Sequence, residues 1–272
     1  QQGDLKPCFK GRYKDRMSVS FKSQLFFKIA LKKIKHQLLP SRCSLCLEPI
    51  LLTQDLYCLN CETSLPFIDQ ACDRCSEPLP HSSTCPNCQK NPPYFSRCVA
   101  LCDYQYPIST ALKNIKQTVH APETKKLSAL LAKRLKRVYR AQTLPSIVIP
   151  IPAHPLKILR RGFNQSALIA HRLCSELSMT HLHQDICYRT QLGKPQKFQN
   201  RAQRLKLLSN TFAVRNSDLI KGKSLAIVDD IITTGATANA LSKCLMQAGA
   251  KSVDLWCIAK TSWHNQSSSI KI

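Results

Sequence analysis

Acidic residues are scarce in this chain. Its 272 residues carry 16 Asp and Glu against 40 Lys and Arg, a formal net charge of +24. A surplus of that size points to polyanions: nucleic acid, phosphates or anionic lipid. Glycine is scarce too, with 7 in all. Flexible loops are therefore few, and each glycine is a candidate for a special backbone conformation. No apolar run approaches the roughly 18 residues of a membrane-spanning helix. The longest apolar stretch near the start, Leu25 to Leu39, is broken by Lys28, Lys32, Lys33 and Lys35. It lacks the uninterrupted apolar centre of a secretory signal. What is present is globular: 43% hydrophobic and 21% charged residues exclude wholesale disorder and a collagen-like chain. The length suits one large domain or two smaller ones.

The charge is unevenly spread. Residues 1–42 have a net charge of +9, residues 43–98 of −3 and residues 99–272 of +18, so two basic segments flank an acidic one. The acidic segment holds four Cys-x-x-Cys pairs: Cys43 and Cys46, Cys58 and Cys61, Cys72 and Cys75, Cys85 and Cys88. Each such turn points two thiolates at one centre, and two turns close a tetrahedral zinc site. The simplest pairing is sequential, with Cys43, Cys46, Cys58 and Cys61 on one zinc and Cys72, Cys75, Cys85 and Cys88 on the other. A crossed pairing satisfies the spacing equally. Redox use of Cys-x-x-Cys is the competing reading, but redox motifs occur singly. The intervening sequence is poor in core material, so metal would provide folding free energy. Eight thiolates on two Zn²⁺ would lower the chain's net charge to about +20. A module made still more anionic in this way suits structural or partner-binding work better than gripping a DNA backbone. Of the remaining cysteines, Cys174, Cys244 and Cys257 sit in apolar periodic segments and are expected to be buried.

Residues 1–22 read as a polar, basic, disordered tail. Met17 is the first methionine, so residues 1–16 are read as an upstream translation artefact or a fragment end. Residues 23–38 read as an amphipathic helix, with Leu25, Phe26, Ile29, Ile34 and Leu38 opposite lysines. Such a helix can pack on the cysteine module or lie on an anionic membrane surface. Asn91-Pro92-Pro93 marks a boundary. Beyond it, strands are expected at Cys98–Tyr106, Ile147–Ile151, Ser224–Val228 and Val253–Ala259. Helices are expected at Ser109–Gln117, Glu123–Tyr139, Gln165–Leu177 and Ala236–Ala248, and residues 189–204 read as a loop. Alternating strands and helices imply an α/β fold with a mostly parallel sheet.

One stretch is the most informative: Val228-Asp229-Asp230-Ile231-Ile232-Thr233-Thr234-Gly235-Ala236-Thr237. An apolar strand runs into paired acids, then a Thr/Gly turn, then a helix. The turn offers successive amides, hydroxyls and a helix N-terminus, an anion cradle suited to a phosphate monoester. Asp229 and Asp230 would repel a phosphate and are better suited to accept from the vicinal hydroxyls of an attached sugar. A plain capped strand–helix turn is the bland alternative. A second basic block, Lys157 with Arg160-Arg161-Gly162-Phe163-Asn164-Gln165, follows the strand ending near Pro150-Ile151-Pro152. Its cations could neutralise a diphosphate or simply face solvent. His120, His154 and His171 fit no metal spacing.

The acid and Thr/Gly block resembles the ribose-5-phosphate loop of type I phosphoribosyltransferases. With the Arg-Arg-Gly-Phe-Asn-Gln block and the cysteine pairs ahead of both, residues 23–262 resemble the ComF family. That resemblance implies a parallel-sheet type I phosphoribosyltransferase fold preceded by a small double zinc ribbon, with a cytoplasmic location and, in many members, a role in competence for DNA uptake. The implied organisation is a tail over 1–22, a helix over 23–40, the ribbon over 41–92, the phosphoribosyltransferase-like domain over 93–264 and a tail over 265–272.

By motif, Asp229 and Asp230 would take the ribose hydroxyls and indirectly order Mg²⁺. Thr233, Thr234, Gly235, Ala236 and Thr237 would cradle the 5-phosphate of 5-phosphoribosyl-1-pyrophosphate. Arg160, Arg161 and Gly162 match the pyrophosphate region, and Lys116 a basic position ahead of the first long helix. Gln196, Arg204, Asn210 and Phe212 match the family's mobile segment, which departs from the pattern at Leu207. Two functional classes follow. One is a transferase acting on phosphoribosyl pyrophosphate. The other is a non-catalytic module that senses a ligand or handles single-stranded DNA for the uptake machinery, where basic grooves and aromatic stacking would do the binding. Phe163 and Phe198 are the only aromatics in the clearly basic loops.

Overall fold

The computed structural model describes residues 42–50, 56–190 and 211–263. The chain divides into two compact units, Gln1–Thr63 and Ser64–Ile272. The helix expected over 23–38 lies outside the described residues, as does all of residues 191–210.

In the first unit, the described residues centre on Cys43, Cys46, Cys58 and Cys61. A short helix α1 (Leu59–Thr63) starts from the second knuckle.

The second unit begins with Cys72, Cys75, Cys85 and Cys88, the last of these in helix α2 (Pro86–Lys90). Strand β1 (Arg97–Asp103), helix α3 (Ile108–Ile115) and helix α4 (Pro122–Val138) follow. Next come strand β2 (Ile147–Pro150), helices α5 (Pro155–Arg161) and α6 (Gln165–Leu177), and the short strands β3 (Cys187–Arg189) and β4 (Phe212–Val214). Strand β5 (Ser224–Ile232), helix α7 (Ala236–Gln247) and strand β6 (Ser252–Lys260) complete the unit. The main sheet has the order β1–β6–β5–β2, and every pair in it is parallel. Strands β3 and β4 form a separate antiparallel pair.

The sequence explains this sheet. Leu225-Ala-Ile-Val and Leu255-Trp-Cys-Ile-Ala are continuous apolar runs, and all of these residues are buried. A strand covered on both faces needs no polar alternation. Leu225 and Ile227 of β5 share a core cluster with Val253, Leu255 and Cys257 of β6 and with Ala238, Leu241 and Leu245 of α7. Helix α4 supplies Leu127, Leu131 and Leu135, all fully buried.

Three details depart from the sequence reading. β5 does not stop at Val228 but runs on to Ile232, because β6 pairs with it through Asp229↔Cys257 and Ile231↔Ala259. The paired acids are thus part of the strand. The basic block after β2 is helical rather than a loop. His154 Nδ1 accepts from the amide of Leu156 as a cap, Pro155 fills the first turn and Gly162 ends the helix at φ +81°. Third, Cys174 and Cys257 are buried as expected, whereas Cys244 is half-buried and its thiol donates to the Phe212 carbonyl at 3.4 Å.

Candidate functional site

The geometry of the cysteine sets resolves the pairing left open by spacing. Cys43, Cys46, Cys58 and Cys61 converge, and so do Cys72, Cys75, Cys85 and Cys88, with all four sulfurs of each set within 4.8 Å of one another. The sequential arrangement holds. Amides point at the sulfurs: Cys58 N–H donates to Cys43 Sγ at 3.3 Å and Cys61 N–H to Cys58 Sγ at 3.4 Å. The second site repeats this, with Cys85 N–H to Cys72 Sγ at 3.3 Å and Cys88 N–H to Cys85 Sγ at 3.4 Å. Burial pushes the Cys43 thiol up, but the surrounding backbone amides outweigh it and bring the thiol down to about 6. A thiolate held by N–H donors is the form that binds zinc. Among the described residues, these are the only clusters of three or more metal-ligating groups.

A second constellation lies at the carboxyl end of β5, where open α/β sheets bind ligands. Strand β2 ends beside Val228, so Asp229 and Asp230 project beyond it. Ser166, in the first turn of α6, donates its hydroxyl to Asp229 Oδ1 at 2.8 Å, and the Asp230 amide donates to the same oxygen at 2.9 Å. Burial pushes the Asp229 carboxyl up to about 8, the neighbouring Asp230 charge pushes the same way, and the Ser166 bond opposes them. Asp230 is buried and forms an ion pair with Lys116, whose Nζ sits 3.0 Å from Oδ2.

Between β5 and α7, the Thr233–Gly235 turn passes through a left-handed Gly235 at φ +74°. An added Cβ would meet only Ile232 Cγ2 at 3.8 Å, so the backbone conformation rather than space demands glycine. Gly235, at the cap position of α7, has no side chain to accept, and Thr234 Oγ1 accepts from Ala236 N–H at a long 3.4 Å. The helix ladder opens with Asn239 N–H to the Gly235 carbonyl at 2.8 Å. Amides of the first turn precede that bond and carry the positive end of the helix dipole. Thr233 and Thr234 are exposed, and Gly235, Ala236 and Thr237 are half-buried.

Arg160 is exposed, while Arg161 donates to Gln165 Oε1 at 3.1 Å across the left-handed Gly162. Asn164 ties this block to the sheet through Nδ2 to the Ile151 carbonyl at 3.0 Å and caps α6 by accepting from Ser166 N–H. The structure therefore brings Lys116 to Asp230, and Ser166 to Asp229. It leaves Arg160 and Arg161 on α5, with the nearest described partner being Gln165. Of the residues matched to the mobile segment, Phe212 is described and is buried in β4; Gln196, Arg204, Leu207 and Asn210 lie outside the described residues, as does Phe198.

Sequence reasoning did not identify Arg189 or Ser166. Arg189 Nε donates to the Pro152 carbonyl at 2.9 Å, and its guanidinium lies 4.8 Å from the Phe212 ring centroid. Burial pushes the pKa of this guanidinium below its ordinary value, while the charge of Asp229 acts to raise it. The hairpin formed by β3 and β4 is thereby fixed to the segment after β2, with a cation close to Asp229. No spacing rule connects residues so distant in sequence.

Among the described residues, no helix is long and apolar enough to cross a membrane. Residues 34–89 match the double zinc ribbon domain. The DNA utilization protein YhgH of Escherichia coli K12 is 31% identical over 228 residues, covering 82% of this chain and 98% of that protein. Competence protein F of Haemophilus influenzae is 27% identical over 208 residues, covering 75% and 84%. Among solved structures, a purine phosphoribosyltransferase from Pyrococcus horikoshii is similar over 50% of this chain and 70% of its own, at 21% identity and a TM-score of 0.31. A double zinc ribbon followed by a parallel α/β sheet, together with identity of this extent along nearly the whole of a relative, places this chain in the ComF family.

Proposed function

We propose that the chain binds 5-phosphoribosyl-1-pyrophosphate with Mg²⁺ across the turn between β5 and α7, and that it does so in the cytoplasm as a phosphoribosyltransferase-like component of DNA uptake or utilisation. One observation carries the reading. Asp229 and Asp230 stand at the carboxyl end of a central parallel strand, next to a helix N-terminus whose cap position is the left-handed Gly235.

The division of labour follows from charge. The first-turn amides and the hydroxyls of Thr233, Thr234 and Thr237 suit the 5-phosphate. The carboxyls of Asp229 and Asp230 suit the ribose hydroxyls, which donate. Arg160, Arg161 and Gly162 would approach the pyrophosphate, and Lys116 would be shared between Asp230 and the ligand. Mg²⁺ fits as the ligand's own counter-ion. Two carboxyls, one already paired with Lys116, are too few for a dedicated cage, and Mg²⁺ commonly keeps its waters and the substrate phosphates as ligands. When bound, it would neutralise the departing pyrophosphate. The chain's own residues would hold the ribose and orient its C1 towards an acceptor.

Calorimetry tests this directly. The wild type should bind 5-phosphoribosyl-1-pyrophosphate only with Mg²⁺ present, and the Asp229→Asn/Asp230→Asn variant should not bind it. A folded, zinc-loaded wild type without heat of binding would refute the site.

Single-stranded DNA is the second partner in this reading, supported by the net +18 of residues 99–272 and the exposed Lys157 and Arg160. A grip on the phosphate backbone should weaken with salt at a slope of about −0.7 per phosphate contacted. A flat response between 50 and 200 mM salt, measured by fluorescence anisotropy, would remove DNA from the reading.

A further inference from the structure

The second four-cysteine site is built into the sheet. The segment before it runs along the free edge of β1, with Ile68 N–H donating to the Leu101 carbonyl at 3.1 Å and Asp103 N–H to the Pro66 carbonyl at 2.8 Å. Ser76, one residue past Cys75, donates its hydroxyl to the Cys98 carbonyl at 2.7 Å and accepts from Ala100 N–H at 3.2 Å.

Glu77 comes next. Its carbonyl accepts from the amide of the ligand Cys72 at 2.8 Å, and its own amide faces Cys75 Sγ. The knuckle therefore fixes its backbone. Its side chain is 2% exposed and forms an ion pair at 3.0 Å with Lys260, which is 5% exposed. Lys260 ends β6, and its Nζ also donates to the carbonyl of Thr233 at 3.1 Å and to that of Thr261 at 2.6 Å. Thr233 opens the Thr/Gly turn. The other carboxylate oxygen of Glu77 accepts from Trp263 N–H at 2.7 Å. The strap between these points is tied down as well, with Thr261 N–H to the Ile232 carbonyl at 2.8 Å and Ser262 Oγ to Asp103 at 3.2 Å.

A continuous path thus runs from the Cys72–Cys75 knuckle through Glu77 and Lys260 to the first residue of the phosphate turn. We infer that Glu77 and Lys260 are positioning residues that set the Thr233–Thr237 turn from the second zinc ribbon, so that an intact ribbon is a condition for tight binding of a phosphate ester there. The affinity part rests on the phosphoribosyl reading above. The conformational part does not. Lys260 acts by aiming the Thr233 carbonyl away from the anion and towards an ammonium, which leaves amides rather than a carbonyl oxygen facing the ligand. Glu77 keeps that ammonium in place, because a buried cation is costly without a counter-charge beside it.

Two measurements on the full chain test it. The first is amide hydrogen exchange without ligand, comparing wild type, Glu77→Gln and Lys260→Met. Gln retains an acceptor for Trp263 N–H and preserves the packing. Protection at Asn239, whose amide bonds the Gly235 carbonyl at 2.8 Å, and at Ala236, whose amide bonds Thr234 Oγ1 at 3.4 Å, should fall in both variants, while β5 and β6 and the zinc content stay at wild-type levels. Chelation of zinc from the wild type should reproduce the loss at the turn and add little to it in Lys260→Met, the non-additivity expected of one path. Unchanged protection in both variants would overturn the inference whatever the ligand. The second is calorimetry with ribose 5-phosphate as probe, where Lys260→Met should bind about tenfold more weakly, equivalent to about 1.4 kcal/mol. Equal affinity in both variants would overturn the affinity part. A wild type that binds no ribose 5-phosphate would overturn both the phosphoribosyl reading and the affinity part, and the exchange data would still decide whether the ribbon positions the turn.

Discussion

Lys116 Nζ and Asp230 Oδ2 stand 3.0 Å apart, joining the residue just after α3 to the second acid of β5. The lysine side chain is 28% exposed and the aspartate 8%, so the pair is buried at one end and wet at the other. Removing the lysine leaves a buried carboxylate without its cation. Lys116→Met should cost roughly 1–3 kcal/mol in urea unfolding, below the cost of breaking a wholly buried pair because water screens the lysine. The Lys116→Met/Asp230→Asn double variant should recover part of that loss. A single variant as stable as wild type would show that the pair does not persist in solution.

The fold was legible where burial imposes a pattern. Leu225–Val228 and Leu255–Ala259 are unbroken apolar runs, and both lie in central strands. The helix Gln165–Leu177 follows its apolar periodicity and its Asn164 cap. Helix α5 was not legible. Leu156 and Leu159 are exposed, Leu159 by 84%, so no buried stripe reveals it, and its ends are set by a histidine cap and a glycine stop. The zinc ligands were legible because their chemistry is local in sequence. The place of Asp229, Asp230 and the Thr/Gly turn between an apolar strand and a helix was legible for the same reason. Ser166, Arg189, Glu77 and Lys260 were not, since each meets its partner only after the chain has folded, and the Ser166 and Arg189 partners lie 63 and 37 residues away.

Asp229 should make stability depend on pH in an unusual direction. Its carboxyl is raised from 3.8 to about 8 in the fold, chiefly by burial and then by the Asp230 charge. A raised folded value means that the unfolded chain gives up the proton first. The contribution is complete below about pH 4, declines as pH rises and is lost once pH passes about 8. Asp229→Asn removes this dependence and keeps an acceptor for Ser166 Oγ and Asp230 N–H. The variant should melt several degrees above wild type near pH 8 and match it near pH 4. An identical gain at both values would mean that the carboxyl is not held neutral by the fold.

The two four-cysteine sites lie in different compact units, and their loss should have separable consequences. Both tryptophans of the chain, Trp256 and Trp263, belong to the second unit. Trp256 is fully buried and its indole N–H donates to Tyr139 Oη at 3.2 Å, so its fluorescence reports on the sheet. Cys85 is fully buried and caps α2 by accepting from Cys88 N–H. Cys85→Ser removes a zinc ligand beside the segment that seats Ser76 against β1. The tryptophan-detected melting midpoint should fall on the order of 10 °C, since structural zinc supplies several kcal/mol and a unit of this size loses a few degrees per kcal/mol. Cys58→Ser in the first unit should remove its zinc and leave that midpoint unchanged. If the two variants lower the midpoint equally, the second ribbon has no special role in the sheet, and the path from Cys72 through Glu77 to the Thr/Gly turn loses its structural basis.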